Sequence, residues 1–252
     1  MIIENLAAIC LLTFAAFFGG FIRRLSGFGG ALIMTPILMW IFPIPFLIPI
    51  VMCSEVFGGV LLSRHWKLHQ EDRSRLWSML FFSVIFLPLG IWLGGLIPLS
   101  ILKTATSAVI LFFASYLLLK PHVRLTASSL LDGAAGSLSG LLLGSCGIGG
   151  PPAALYLNST NQAFDRTRAL LSQFVSGISI FAIVAASLMG GGIDWLAYLA
   201  VAIPAYWLGM RIAKGVLEVH AVSDGLLKRL CLLLLMANAA MNLLFLFILK
   251  QV

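Results

Sequence analysis

The residues best placed to do chemistry in this chain are glycines. Gly144-Ser-Cys-Gly-Ile-Gly-Gly-Pro-Pro152 interrupts an apolar stretch, and Ser26-Gly-Phe-Gly-Gly30 repeats its core. Gly20, Gly27, Gly29 and Gly30 recur as Gly140, Gly147, Gly149 and Gly150, each 120 residues further on. A helix broken at Gly-x-Gly-Gly frees backbone N–H groups that hydrocarbon cannot satisfy. Glycine also admits positive φ and lets a ligand approach the backbone closely. The piece after each break begins a new helix, whose N-terminus carries exposed donors and a partial positive charge. Such an end binds anions, and two that converge would suit a small oxyanion. Pro151 fits the first position of the second new helix, where no donor is needed. Glycines in membrane helices also serve close packing, and that is the expectation for Gly136 with Gly140.

Charged and polar residues near the breaks are the next candidates. Arg23 and Arg24 precede the first break. A guanidinium presents two parallel donors to sulfonate or sulfite oxygens; the alternative role is an interfacial anchor whose stem lies along apolar surface. Glu55 falls mid-span, where a carboxyl is a functional candidate by default, here as a proton carrier. Its alternative is a structural carboxyl bonded to Ser54 or to an arginine. Asp132 lies nearer the end of its span and reads as interfacial. Tyr156, Asn158, Ser172 and Gln173 could give a ligand uncharged hydrogen bonds, although Asn158 could equally cap the short helix. Cys146 sits inside the second motif. Cys10, Cys53 and Cys231 are scattered singly with no metal-ligand spacing, so neither a metal nor another cofactor is expected. An enzyme reading with Cys146 as nucleophile needs a base, and no histidine falls within an apolar span.

The elements that must position these residues are membrane helices. Hydrophobic residues make up 61% of the 252 and charged residues 10%, against about 25% charged in soluble domains. The net charge of +7 comes from short basic clusters between apolar runs, which is the pattern of membrane topology and not of nucleic-acid binding. Met1-Ile-Ile-Glu4 lacks a basic n-region, so the first apolar run is expected to be a retained span. With about 20 apolar residues per crossing, the chain reads as an all-α polytopic protein of ten segments. Residues 1–120 form one half and 121–252 the other, and the segments after the two breaks, 31–42 and 151–157, are short. If loop 64–75 lies in the cytoplasm, all of the 16 lysines and arginines except Lys103 and Lys250 fall on the inner side, as the positive-inside rule requires. Both termini then lie outside. Five segments separate the two motifs, an odd number, so the breaks enter from opposite faces and the halves form an inverted repeat. Transporters use that architecture, with paired broken helices at a central site about which the halves rock.

At these residues the chain resembles the sulfite exporter TauE/SafE family, also called the 4-toluenesulfonate uptake permease family. The matching positions are Gly20, Gly27, Gly29, Gly30 and Pro36, then Gly140, Gly147, Gly149, Gly150 and Pro151. One departure is Arg23-Arg24, where this family usually carries small or apolar residues. The resemblance implies a secondary transporter of small sulfur-containing or organic anions in the cytoplasmic membrane of a bacterium. Protons and a second copy of the chain are further candidate partners. An anion channel with the same symmetry is the alternative, and saturable counterflow separates the two.

Overall fold

A computed structural model of the chain describes residues 2–63, 69–70, 72–119, 126–160, 162–188, 193–219 and 224–251. Arg64, Lys67, Lys120 and Arg124, on which the charge count partly rests, lie outside the described residues, as do His65 and Trp66. Among the described residues ten helices follow one another: α1 (Ile2–Ser26), α2 (Gly30–Leu38), α3 (Ile44–Ser63), α4 (Asp72–Leu96), α5 (Leu99–Leu119), α6 (Ser129–Cys146), α7 (Gly150–Ser159), α8 (Phe164–Ala186), α9 (Leu196–Val219) and α10 (Asp224–Gln251). No strand occurs among the described residues. Six helices, α1, α3, α4, α5, α8 and α9, are long and apolar enough to cross a membrane. Their outward faces carry Trp77, Phe81, Ile85, Trp92 and Phe112, all exposed, as suits a surface solvated by lipid.

The glycines end α1 and α6 by their backbone conformations. Gly27, Gly29 and Gly147 have φ of 80°, 100° and 71°, a region costly to residues with a Cβ. Past α6 the N–H groups of Gly147 and Ile148 return to the carbonyls of Leu143 and Leu142. Past α1 the Gly27 N–H returns to the Arg23 carbonyl, and the Phe28 N–H donates to the Ser26 hydroxyl. The first helix does not end ahead of Arg23-Arg24. It continues to Ser26, which places Arg23 inside the helix, one turn before the break.

The four most extensive helix pairs are α4 with α6, α1 with α9, α3 with α8, and α5 with α10. Renumber each helix by five, so that α1 exchanges with α6 and α4 with α9. The α1–α9 pair then becomes α6–α4, α4–α8 becomes α9–α3, and α2–α10 becomes α7–α5. Of the helix pairs in substantial contact, all but α2–α5 have such a counterpart. The two exchanging interfaces use the same device. A Cβ on Gly20 would collide with the backbone of Tyr206, and one on Gly140 with the backbone of Ser83. Gly136 and Gly144 likewise press on the backbones of Met79 and Leu87. These glycines let main chains touch, as expected for Gly136 with Gly140.

Helix directions follow from the same contacts. Arg75 pairs with Asp132, Gly136 faces Met79, Gly140 faces Ser83 and Gly144 faces Leu87, so α4 and α6 run parallel. Gly27, at the end of α1, lies against Arg168 at the start of α8. At that same end of α8, Arg166 pairs with Asp72, the first residue of α4. Hence α1 finishes at the level where α4 and α6 begin.

Candidate functional site

The first break is a charged site. Arg23 and Glu55 are both 0% exposed, and Arg23 Nη1 lies 2.8 Å from Glu55 Oε2. Arg23 Nη2 donates to the Ser176 hydroxyl at 2.9 Å and to the Ser172 carbonyl at 3.1 Å. The Tyr206 hydroxyl donates to Glu55 Oε1 at 3.2 Å. Four helices, α1, α3, α8 and α9, therefore meet at one ion pair. Glycines make the room for it: a Cβ on Gly30 would strike Glu55 Oε1 and the Tyr206 hydroxyl, and one on Gly59 would strike the Ser176 hydroxyl. Gly30 is the first residue of α2, so the Glu55 carboxylate stands at the positive end of that helix.

The Arg23 side chain is fully buried. An anchor would reach interfacial water, whereas this guanidinium is enclosed and ion-paired. The partner of Glu55 is likewise Arg23 and not Ser54, whose hydroxyl donates to the Ile50 carbonyl. Isolated charges at this depth are costly, and each is stable because the other is present. Arg24 is half-buried and its carbonyl accepts from Arg168 Nη2 at 2.9 Å.

The second break carries no charge of its own. A Cβ on Gly150 would sit 3.4 Å from the Phe28 ring of the first break, an ordinary contact. One on Gly149 would crowd Leu143 and the Ser139 carbonyl, and the Ser139 hydroxyl is buried without a hydrogen-bond partner. The Thr35 hydroxyl of α2 donates to the Gly147 carbonyl at 3.0 Å, tying the first short helix to the end of α6. Between the breaks lies a small cavity lined by Gly29, Gly149, Gly150, Glu55, Leu143 and Ser179, among others. About 10 Å³ of it is open to the centre of a water molecule, room for a single water and not for a sulfonate.

The structure thus brings Gly29, Gly149, Gly150 and Glu55 to one space, with Arg23 and Gly30 directly behind the carboxylate. Gly27 and Gly147 make the turns. The remaining candidates lie elsewhere. Cys146 is buried with the Ser145 hydroxyl 3.6 Å from its sulfur, and it does not line the cavity. Asn158 donates to the Ala154 carbonyl within its own helix and lines a separate small cavity with Ser26 and Arg168. Tyr156 lies beneath the Arg75 guanidinium, 5.3 Å from ring centroid to Cζ, beside the Arg75–Asp132 pair. Gln173 is half-buried on α8 and not part of the cavity wall. Ser172 contributes its carbonyl to Arg23 in place of its hydroxyl. Residues that the sequence did not single out are Tyr206, Ser176 and Thr35. Where α4 and α8 begin, Asp72 is held by Arg166 Nε at 2.6 Å and by Gln162 at 3.3 Å, knitting the two helices together.

No curated protein and no solved structure matches the chain. The sulfite exporter TauE/SafE family matches residues 12–241, a stretch that holds both glycine breaks, the Arg23–Glu55 pair and Tyr206. The agreement covers nearly all of the ten-helix arrangement, in a multi-pass membrane protein with a small-molecule substrate. This chain belongs to the sulfite exporter TauE/SafE family of membrane transporters.

Proposed function

We propose that the protein is a secondary transporter of small sulfur-containing or organic anions, sulfite and sulfonates above all, and that the anion binds between the two glycine breaks. The observation that carries this is the cavity lined by Gly29, Gly149, Gly150 and Glu55, which holds residues of both breaks. Two helix N-termini, those of α2 and α7, lead from it, and their peptide dipoles favour negative charge. The exchange of helix pairs under renumbering by five supports an inverted repeat of residues 1–120 and 121–252. The opposed directions of α1 and α6 support it too. In this reading the membrane is the cytoplasmic membrane of a bacterium, with both termini outside, and Glu55 is the proton carrier. A space the size of one water favours a carrier, which must change shape to admit substrate, over an open channel.

The test is thermal stabilisation of the purified chain by sulfite, thiosulfate, methanesulfonate, taurine, sulfate and acetate, repeated in Gly150→Ala. That variant adds one methyl to the cavity wall with only an ordinary contact to Phe28. Sulfur oxyanions should raise the Tm of the parent, and the variant should bind them at least about tenfold more weakly, a loss of roughly 1.4 kcal/mol. Stabilisation of both forms alike would move the site away from the breaks. In vesicles, counterflow of labelled sulfite would support the carrier, and its absence alongside rapid flux would make the protein a channel.

A further inference from the structure

We propose that Glu55 is a built-in stand-in for the transported anion: substrate takes Arg23 from it, and the released carboxyl takes up a proton. This rests on the reading of the cavity as the anion site. At the first break two anion-attracting groups converge, the N-terminus of α2 at Gly30 and the Arg23 guanidinium, and the group they hold is the Glu55 carboxylate. Glu55 also lines the cavity, and Arg23 does not. An anion in the cavity therefore reaches the guanidinium only by displacing Glu55.

The ion pair is close but incomplete. Arg23 Nη1 lies 2.8 Å from Glu55 Oε2, but Arg23 Nε is buried without a hydrogen-bond partner. A guanidinium with a donor unspent at 0% exposure has a hydrogen bond to offer a ligand with more than two oxygens. A carboxylate stripped of its cation at that depth is costly as an ion, so it accepts a proton from the water on the side the substrate entered. Charge then balances. The empty site holds Arg23 positive and Glu55 negative; the loaded site holds Arg23 positive, the anion negative and Glu55 neutral. On release the proton leaves with the anion and Glu55 closes again on Arg23.

The surroundings fit a group that alternates between these forms. Among the described residues, the charged or titratable groups against the carboxylate are Arg23 from α1 and Tyr206 from α9. From α2 it meets Gly30, and α8 brings the Ser176 hydroxyl to the Glu55 carbonyl at 3.4 Å. The Tyr206 oxygen donates to the carboxylate and can accept from the carboxylic acid, so Tyr206 is a positioning residue for both states. Movement of a monovalent anion is then electroneutral anion–proton symport. Exchange of an anion for a proton is excluded, because the empty site crosses with its ion pair closed.

The experiment is calorimetric titration of the full-length chain with methanesulfonate, whose single charge is constant with pH. It is run in two buffers of different ionisation heat to count protons, with sulfite as a second ligand. The wild type should take up about one proton per methanesulfonate, and its affinity should rise about tenfold per unit fall in pH wherever that proton is taken up. Glu55→Gln should bind with no proton uptake and no pH dependence. Should that variant not fold, Arg23→Gln with Glu55→Gln leaves a neutral core, and it should weaken methanesulfonate binding at least about tenfold. Binding by the wild type without protons would overturn the proposal and leave the anion site standing. So would wild-type affinity in the double variant. Binding of neither methanesulfonate nor sulfite by the wild type would overturn both.

Discussion

The two glycine breaks share a backbone plan and differ in charge. Each ends a helix with glycine at positive φ and begins a short one at Gly30 or Gly150. Yet four residues before its first glycine one break carries Arg23 and the other Leu143. Glu55 and Tyr206 fill the space beside Gly30, whereas beside Gly150 there is only the Phe28 ring. The same glycine plan stands at two places in the chain, and the ion pair stands at only one of them. The uncharged break is left to contribute shape and peptide dipoles.

The largest expected effect falls on the charged side. Arg23→Leu leaves a buried carboxylate alone and should cost about 3–5 kcal/mol of stability, seen as a collapse of Tm in detergent. Adding Glu55→Leu should recover most of it. Recovery failing would mean that Arg23 holds the bundle through Ser172 and Ser176 more than through Glu55. The sharpest comparison is between equivalent glycines. Gly30→Ala forces a methyl into Glu55 and Tyr206 and should cost about 2–3 kcal/mol; Gly150→Ala should stay within about 1 kcal/mol. Equal Tm shifts in the two would erase the asymmetry argued above. Thr35→Val removes the donor to the Gly147 carbonyl and should cost about 1–2 kcal/mol, with the loss read by thermal unfolding. Smallest of all, Ser139→Ala should change the unfolding free energy by no more than about 0.5 kcal/mol, since its hydroxyl has no partner to lose.

The glycine plan was legible because positive φ leaves few alternatives to glycine, so Gly27, Gly29 and Gly147 mark the turns wherever they stand. Charge was harder to read. Arg23-Arg24 looks like the basic end of a span, but α1 runs on through Ser26. Successive helical residues point about 100° apart, so one arginine turns into the core while its neighbour stays half-buried. Tyr206 was illegible for another reason: within an apolar run nothing distinguishes an aromatic that reaches Glu55 from one facing lipid. Tyr156, Asn158 and Gln173 read as candidates because each offers uncharged hydrogen bonds, which says nothing of where the side chain lies. Tyr156 lies six residues beyond Gly150, about 9 Å along a helix, enough to carry it to the Arg75–Asp132 pair. The pairing of Arg23 with Glu55 was only one of several open partners, because 32 residues of chain separate them.

The four broadest helix contacts, α4 on α6, α1 on α9, α3 on α8 and α5 on α10, all join one half of the sequence to the other. Two of them are main chain against main chain, with glycine at the point of touch. The halves are therefore interleaved, like the fingers of clasped hands, and neither can swing as a block without prising those backbones apart. A shape change that spares them must move composite bodies, with α1 carrying α9 and α4 carrying α6. A disulfide engineered within either couple would then be harmless to turnover, while one bridging the couples would arrest it.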